Sequence, residues 1–83
     1  MATEPVDHGE WLNFRAPYDG GTIPVLISRE ALEDHFGADH RNNDLVRAFL
    51  AHDARIVAKA LERASEGGVY TDENPLRLTS GDF

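Results

Sequence analysis

The sequence of 83 residues contains no cysteine, one methionine and one tryptophan. Without cysteine there is no disulfide staple, no thiolate nucleophile and no zinc knuckle. A small chain lacking staples fits a reducing compartment, so a cytoplasmic location is expected. Long apolar runs are missing too. None approaches the roughly 20 residues of a membrane-spanning helix, and no membrane partner is expected. The opening stretch MATEPVDHGE has no basic region and carries Glu4 and Asp7 ahead of any apolar segment. That pattern excludes a secretory signal on charge and hydropathy. Positive charge is scarce: 8 Lys and Arg stand against 15 Asp and Glu, for a net charge of -7. Such a field repels phosphate backbones, so nucleic acid is not an expected partner.

What is present has globular composition, with 41% hydrophobic residues and a mean hydropathy of -0.44, neither disordered nor membranous. A chain this short buries only about 60–65% of its unfolded surface. The core is thin, and a second copy would thicken it; a homodimer is therefore an expectation.

Residues 1–9 read as a flexible N-terminal tail, and residues 10–83 as a single domain. In EWLNFRAP, Leu12, Phe14 and Ala16 alternate with Trp11, Asn13 and Arg15, the period of a half-buried strand. YDGG supplies a hairpin turn. In TIPVLIS, Ile23, Val25 and Ile27 share one face, with Pro24 and Leu26 on the other. Pro24 donates no ladder hydrogen bond, which puts its nitrogen at an edge or toward solvent. The period changes at Ser28, whose hydroxyl suits the cap of a short helix that buries Ala31, Leu32 and Phe36 and stops at Gly37. Asp39, Asn42 or Asn43 caps a second helix. One unbroken helix is predicted over Asp44 to Glu66, since Leu45, Val46, Phe49, Leu50, Ile56, Val57, Ala60 and Leu61 recur at spacings of three and four. Gly67 and Gly68 end it. Val69–Thr71 is a candidate short strand, DENP a turn, and LRLTSGDF the last strand, with Phe83 as a terminal anchor. The fold class is α+β: a small antiparallel sheet with two helices packed on one face, in the order β-β-α-α-β, with an optional further strand.

Few positions carry chemistry. On an unbroken helix Asp53 falls inside the apolar arc, where a dry carboxylate needs a partner. Three readings stay open: a structural pair with Arg15, Arg29 or Arg77; a gap at a subunit seam; or a ligand-binding or acid–base role. His52 stands beside it, although adjacent helical residues do not face each other. Histidines 8, 35, 40 and 52 form no metal-binding spacing, and neither metal nor cofactor is expected. His35 reads as a half-buried boundary residue. Arg55, Lys59 and Arg63 read as a solvated helix flank. Trp11 and Leu26 fall on the sheet face without a predicted helix layer. With Tyr18 they make either a binding patch or a surface covered by the tail or by the last residues.

Three stretches together carry a resemblance: ISREALEDHFG (Ile27–Gly37), FLAHDARIVAKALER (Phe49–Arg63) and LRLTSGDF (Leu76–Phe83), with the LNF strand ahead of the DG turn. From about Glu10 onward the chain resembles the small bacterial proteins of the domain of unknown function 1488 family. The resemblance implies a compact α+β fold of bacterial origin and no particular activity. His52 and Asp53 stand where the family carries an Asn-Arg-like polar pair, which argues against a fixed catalytic pair there.

Two function classes compete. One is a binding or interaction module without catalysis. The other is a small ligand-binding domain or enzyme using Asp53, His52 and Arg15 around one cavity. A transcription-related regulator is a third reading, disfavoured by the net charge.

Overall fold

The structure, a computed structural model, describes residues 5–18, 20–38 and 45–83. Its elements are β1 (Val6–Asp7), β2 (Trp11–Tyr18), β3 (Gly21–Ser28), α1 (Arg29–Phe36), α2 (Leu45–Ala51), α3 (Asp53–Ala64), β4 (Leu76–Leu78) and a short 3-10 helix over Ser80–Asp82. The sheet order is β1-β2-β3-β4. The predicted helix caps Asp39, Asn42 and Asn43 lie outside the described residues, as do Asp19, His40 and Asp44.

The β2–β3 hairpin is the largest regular unit. Its register runs from Trp11 opposite Ser28 to Tyr18 opposite Gly21, with Gly20 at φ +80° in the turn. Alternation then sends Leu12, Phe14 and Ala16, with Ile23, Val25 and Ile27, into the core. The backbone alternates as well. Arg29 N–H donates to Glu10 C=O at 2.9 Å, so even-numbered residues of β2 bond toward β3. His8 N–H donates to Trp11 C=O at 2.9 Å, so odd-numbered ones face the β1 side. β1 pairs only with Leu12 and Asn13, which leaves the backbone of Arg15 and Pro17 on an edge without a described strand. Pro17 has no N–H to offer there.

Four expectations need correction. Val6–Asp7, expected within a tail, pairs with β2 as an edge strand. The sheet is mixed rather than antiparallel, because β4 runs parallel to β3, with Val25, Leu26 and Ile27 opposite Leu76, Arg77 and Leu78. Parallel pairing needs a long crossover, and the helical stretch between Ser28 and Leu76 supplies it. The long second helix is broken in two at His52, whose φ and ψ are -131° and 21°. The break has a physical reason. At 100° per residue, an unbroken helix would seat His52 among Leu45, Phe49 and Ile56 in the buried stripe. Interrupting the helix leaves His52 exposed and Asp53 half-buried, while Phe49 and Ile56 stay 1% and 0% exposed. Val69–Thr71 is not a strand. Thr71 bridges Asn74 in a tight turn, and Val69 is 80% exposed.

α1 forms as its sequence directs. Ser28 Oγ accepts from Ala31 N–H at 3.1 Å, and Gly37 closes the helix at φ +75°. The core lies between the sheet and the three helices, and no polar or charged residue is buried among the described residues. Phe14 meets Phe49 at its centre, with ring centroids 4.6 Å apart.

Removing that contact is expected to be severe. Phe49→Ala should cost about 3–5 kcal/mol in urea unfolding, whereas Ser28→Ala should cost about 1 kcal/mol through the lost cap. Equal effects of the two would refute the central role of the aromatic pair.

Candidate functional site

The helices cover one face of the sheet, and the candidate site is the other. Register fixes which side chains meet there, since directly paired residues point to the same side. Trp11 lies opposite Ser28. Next comes a row of four, Val6, Asn13, Leu26 and Arg77, one from each strand. Arg15 lies opposite Pro24 in the row beyond. These rows floor an open groove of about 740 Å³. Val6 and His8 line it at the β1 edge, and Asp72, Glu73 and Pro75 line it at the β4 edge.

Arg15 spans this surface. Its Nη1 donates to Asp72 Oδ1 at 2.9 Å and its Nε to Thr22 Oγ1 at 2.9 Å. Both partners are well exposed, so the pair is worth only about 0.2–1 kcal/mol. Its effect is positional, tying the 71–74 turn to the sheet. Trp11 and Leu26 are half-buried beside it. Of the residues singled out in the sequence, Trp11, Leu26 and Arg15 therefore converge.

The others do not join them. Tyr18 points to the helix side by strand parity, and its hydroxyl donates to the Ala64 carbonyl at 3.4 Å. His52 and Asp53 sit at the α2–α3 break in the helix layer, with the sheet between them and Arg15. The anticipated buried pair is absent: Asp53 makes no ion pair with any described residue. Arg15 is bonded to Asp72 and Arg29 to Glu33. Asp53 instead occupies the first turn of α3, where a carboxylate favours the helix dipole. Among the described residues no group of three metal-ligating side chains is assembled.

A second polar cluster escaped the sequence reading. His35 Nε2 lies 2.9 Å from the Ser80 carbonyl and 3.3 Å from Ser80 Oγ, and Ser80 Oγ donates to Asp34 Oδ2 at 2.7 Å. The residue types are those of a hydrolase triad, but the order is wrong. In a triad the carboxylate orients the histidine; here Asp34 accepts from the serine instead. The cluster works as a clasp. It ties the last turn to α1, helped by Arg63 bonding Asp82 and by Phe83 set edge-on to Phe36 at 5.1 Å. His35 is exposed rather than half-buried. The contacts join positions 45 residues apart, a separation that carries no local sequence signal. The basic flank of α3 is also engaged: Arg55 lies over the Phe36 ring at 5.2 Å, Lys59 pairs with Glu62, and Arg63 also reaches Glu66.

The family model described as a protein of unknown function, DUF1488, matches residues 4–75. The closing LRLTSGDF, part of the resemblance noted from sequence, lies beyond the matched stretch. No curated protein and no solved structure matches the chain. Among the described residues no helix is long and apolar enough to cross a membrane.

The placement of Asp53 has a measurable consequence. Asp53→Asn should destabilise by about 0.3–1 kcal/mol, with the loss shrinking in high salt, as expected for a helix-dipole contribution. A salt-insensitive loss of several kcal/mol in chemical denaturation would instead reinstate a buried ion pair.

Proposed function

The chain belongs to the DUF1488 family, whose description names no activity, and from that premise we propose that it is a binding module without catalysis, its ligand seat the uncovered face of the sheet. One observation carries this reading. Trp11 and Leu26 stand half-buried on a face that no described helix covers, in a groove of about 740 Å³. Ligand seats are usually concave, about 300–1,000 Å³ in volume, with an apolar floor and a few convergent polar groups. The competing enzyme reading needs a nucleophile or acid–base pair converging on a cavity. Its chosen residues, Asp53, His52 and Arg15, lie on two sides of the sheet. Ser80, His35 and Asp34 are occupied in holding the C-terminal turn.

The cysteine-free sequence and the family resemblance support a bacterial, cytoplasmic setting for the module. A homodimer remains a separate proposal, motivated by the small core; light scattering that gives the mass of one chain at high micromolar concentration removes it.

A fragment screen followed by amide chemical shifts tests the seat. Shifts are expected to cluster on Trp11, Asn13, Leu26 and Arg77. Leu26→Ala should weaken binding while changing stability by about 1 kcal/mol or less, since its side chain is outside the core. Shifts gathered around His52 and Asp53 would reverse the assignment and favour the second class of function.

A further inference from the structure

Resting on the groove as the binding seat, we infer that its ligand is a monocarboxylic acid with an aromatic or aliphatic body. The carboxylate is held between Arg77 and Asn13, and the body lies on Trp11. The first support is a census of cations. Arg15 is paired with Asp72, Arg29 with Glu33, Lys59 with Glu62, and Arg63 with Asp82 and Glu66. Arg55 lies over Phe36, and Arg47 is engaged as well. Of the described Lys and Arg side chains, Arg77 alone has no hydrogen bond, ion pair or ring contact among the described residues. It lines the groove. In a chain with nearly twice as many acids as bases, an unclaimed guanidinium lining this groove is a seat for an anion.

Register supplies the second support. Asn13, Leu26 and Arg77 stand side by side in one row across β2, β3 and β4. Adjacent strands lie about 4.8 Å apart, so the outer two backbones are separated by about 10 Å. A long guanidinium arm and an amide can converge above Leu26 from either side. Arginine presents a planar fork that matches a carboxylate, and the asparagine amide adds a donor. Trp11 lies two residues from Asn13 on the same face, about 7 Å along β2. An apolar body extending from the carboxylate along that strand meets the indole.

The third support limits the charge. Arg15 is already neutralised by Asp72, and Glu73 lines the β4 edge of the same groove. With a net charge of -7 on the whole chain, a second negative group on the ligand meets repulsion rather than a partner. Phosphate esters and polyanions are disfavoured on that count, and a single carboxylate is not.

The test titrates the full chain with 3-phenylpropanoate, with 3-phenylpropanamide as the uncharged counterpart and acetate as the charge without a body. Trp11 is the only tryptophan, so its fluorescence reports on the groove itself. For a ligand of this size a Kd on the order of 1 mM is expected for the acid. The amide should bind about tenfold more weakly, and acetate should leave Trp11 unchanged. Arg77→Gln should lower the acid to the level of the amide and leave the amide where it was, with an unaltered melting curve. Acid and amide binding alike, or an Arg77→Gln variant that still prefers the acid, overturns the carboxylate assignment and leaves the groove standing as a seat. Acetate as effective as the larger acid overturns the role given to Trp11. No response to any of the three, together with fragment shifts that avoid the groove, overturns both the inference and the reading beneath it.

Discussion

Phe14 and Phe49 face each other across the middle of the molecule, one ring from the central hairpin and one from the helix layer. Aromatic pairs at this separation add about 0.5–1.5 kcal/mol to the burial of their own surface. The geometry matters more here than the increment. Phe14 fixes which parity of β2 faces inward, and Phe49 fixes how α2 sits on it. Leu12, Val25, Ile27, Leu32, Leu45 and Ile56, all at most 1% exposed, fill in around this centre. A chain of 83 residues has only about 4–12 kcal/mol of net stability to spread over such contacts. Losing one large ring removes a substantial share.

That one-sided core determines where the surface is free to do something else. Every residue of β2 or β3 directed at the helices is spoken for, and each neighbour along the strand is directed away from them. The groove is therefore a by-product of strand parity combined with the placement of the helices. Trp11, Leu26 and Arg77 share a face because they share a register, and Arg15 braces the turn that overhangs them. The helix layer, by contrast, uses its polar groups internally. His35, Ser80, Asp34, Arg63 and Asp82 join α1, α3 and the last turn. The segment they secure brings Leu76 and Leu78, 2% and 0% exposed, into the core. Although it lies past the family match, it completes the hydrophobic layer.

Much of this was legible in the chain. The alternation in EWLNFRAP and TIPVLIS identified both faces of the hairpin, and Ser28 and Gly37 marked the ends of α1, because these signals act over two to four residues. Trp11 and Leu26 fall on the face opposite the described helices for the same reason. The misreadings concern longer range. A period of 3.6 runs through Asp44–Glu66 and hides the interruption at His52, because the apolar residues on either side keep their spacing. The carboxylate of Asp53 inside the apolar arc is the local sign of it. Strand direction in β4 depends on the path of the intervening helices, which no local pattern encodes. The clasp between His35 and Ser80 and the brace between Arg15 and Asp72 join residues 45 and 57 positions apart. Nothing in their immediate neighbours announces either.

The proline at position 17 has a bearing on how the chain behaves in a crowded solution. Past Asn13, the outer margin of β2 has no described strand beside it, the kind of margin on which a strand from another molecule can template itself and begin stacking into fibrils. An incoming strand there finds the amide of Arg15 but none at Pro17, so the ladder lacks one of its donors near the end of β2. A single missing hydrogen at Pro17 thus works against cross-β growth along this margin.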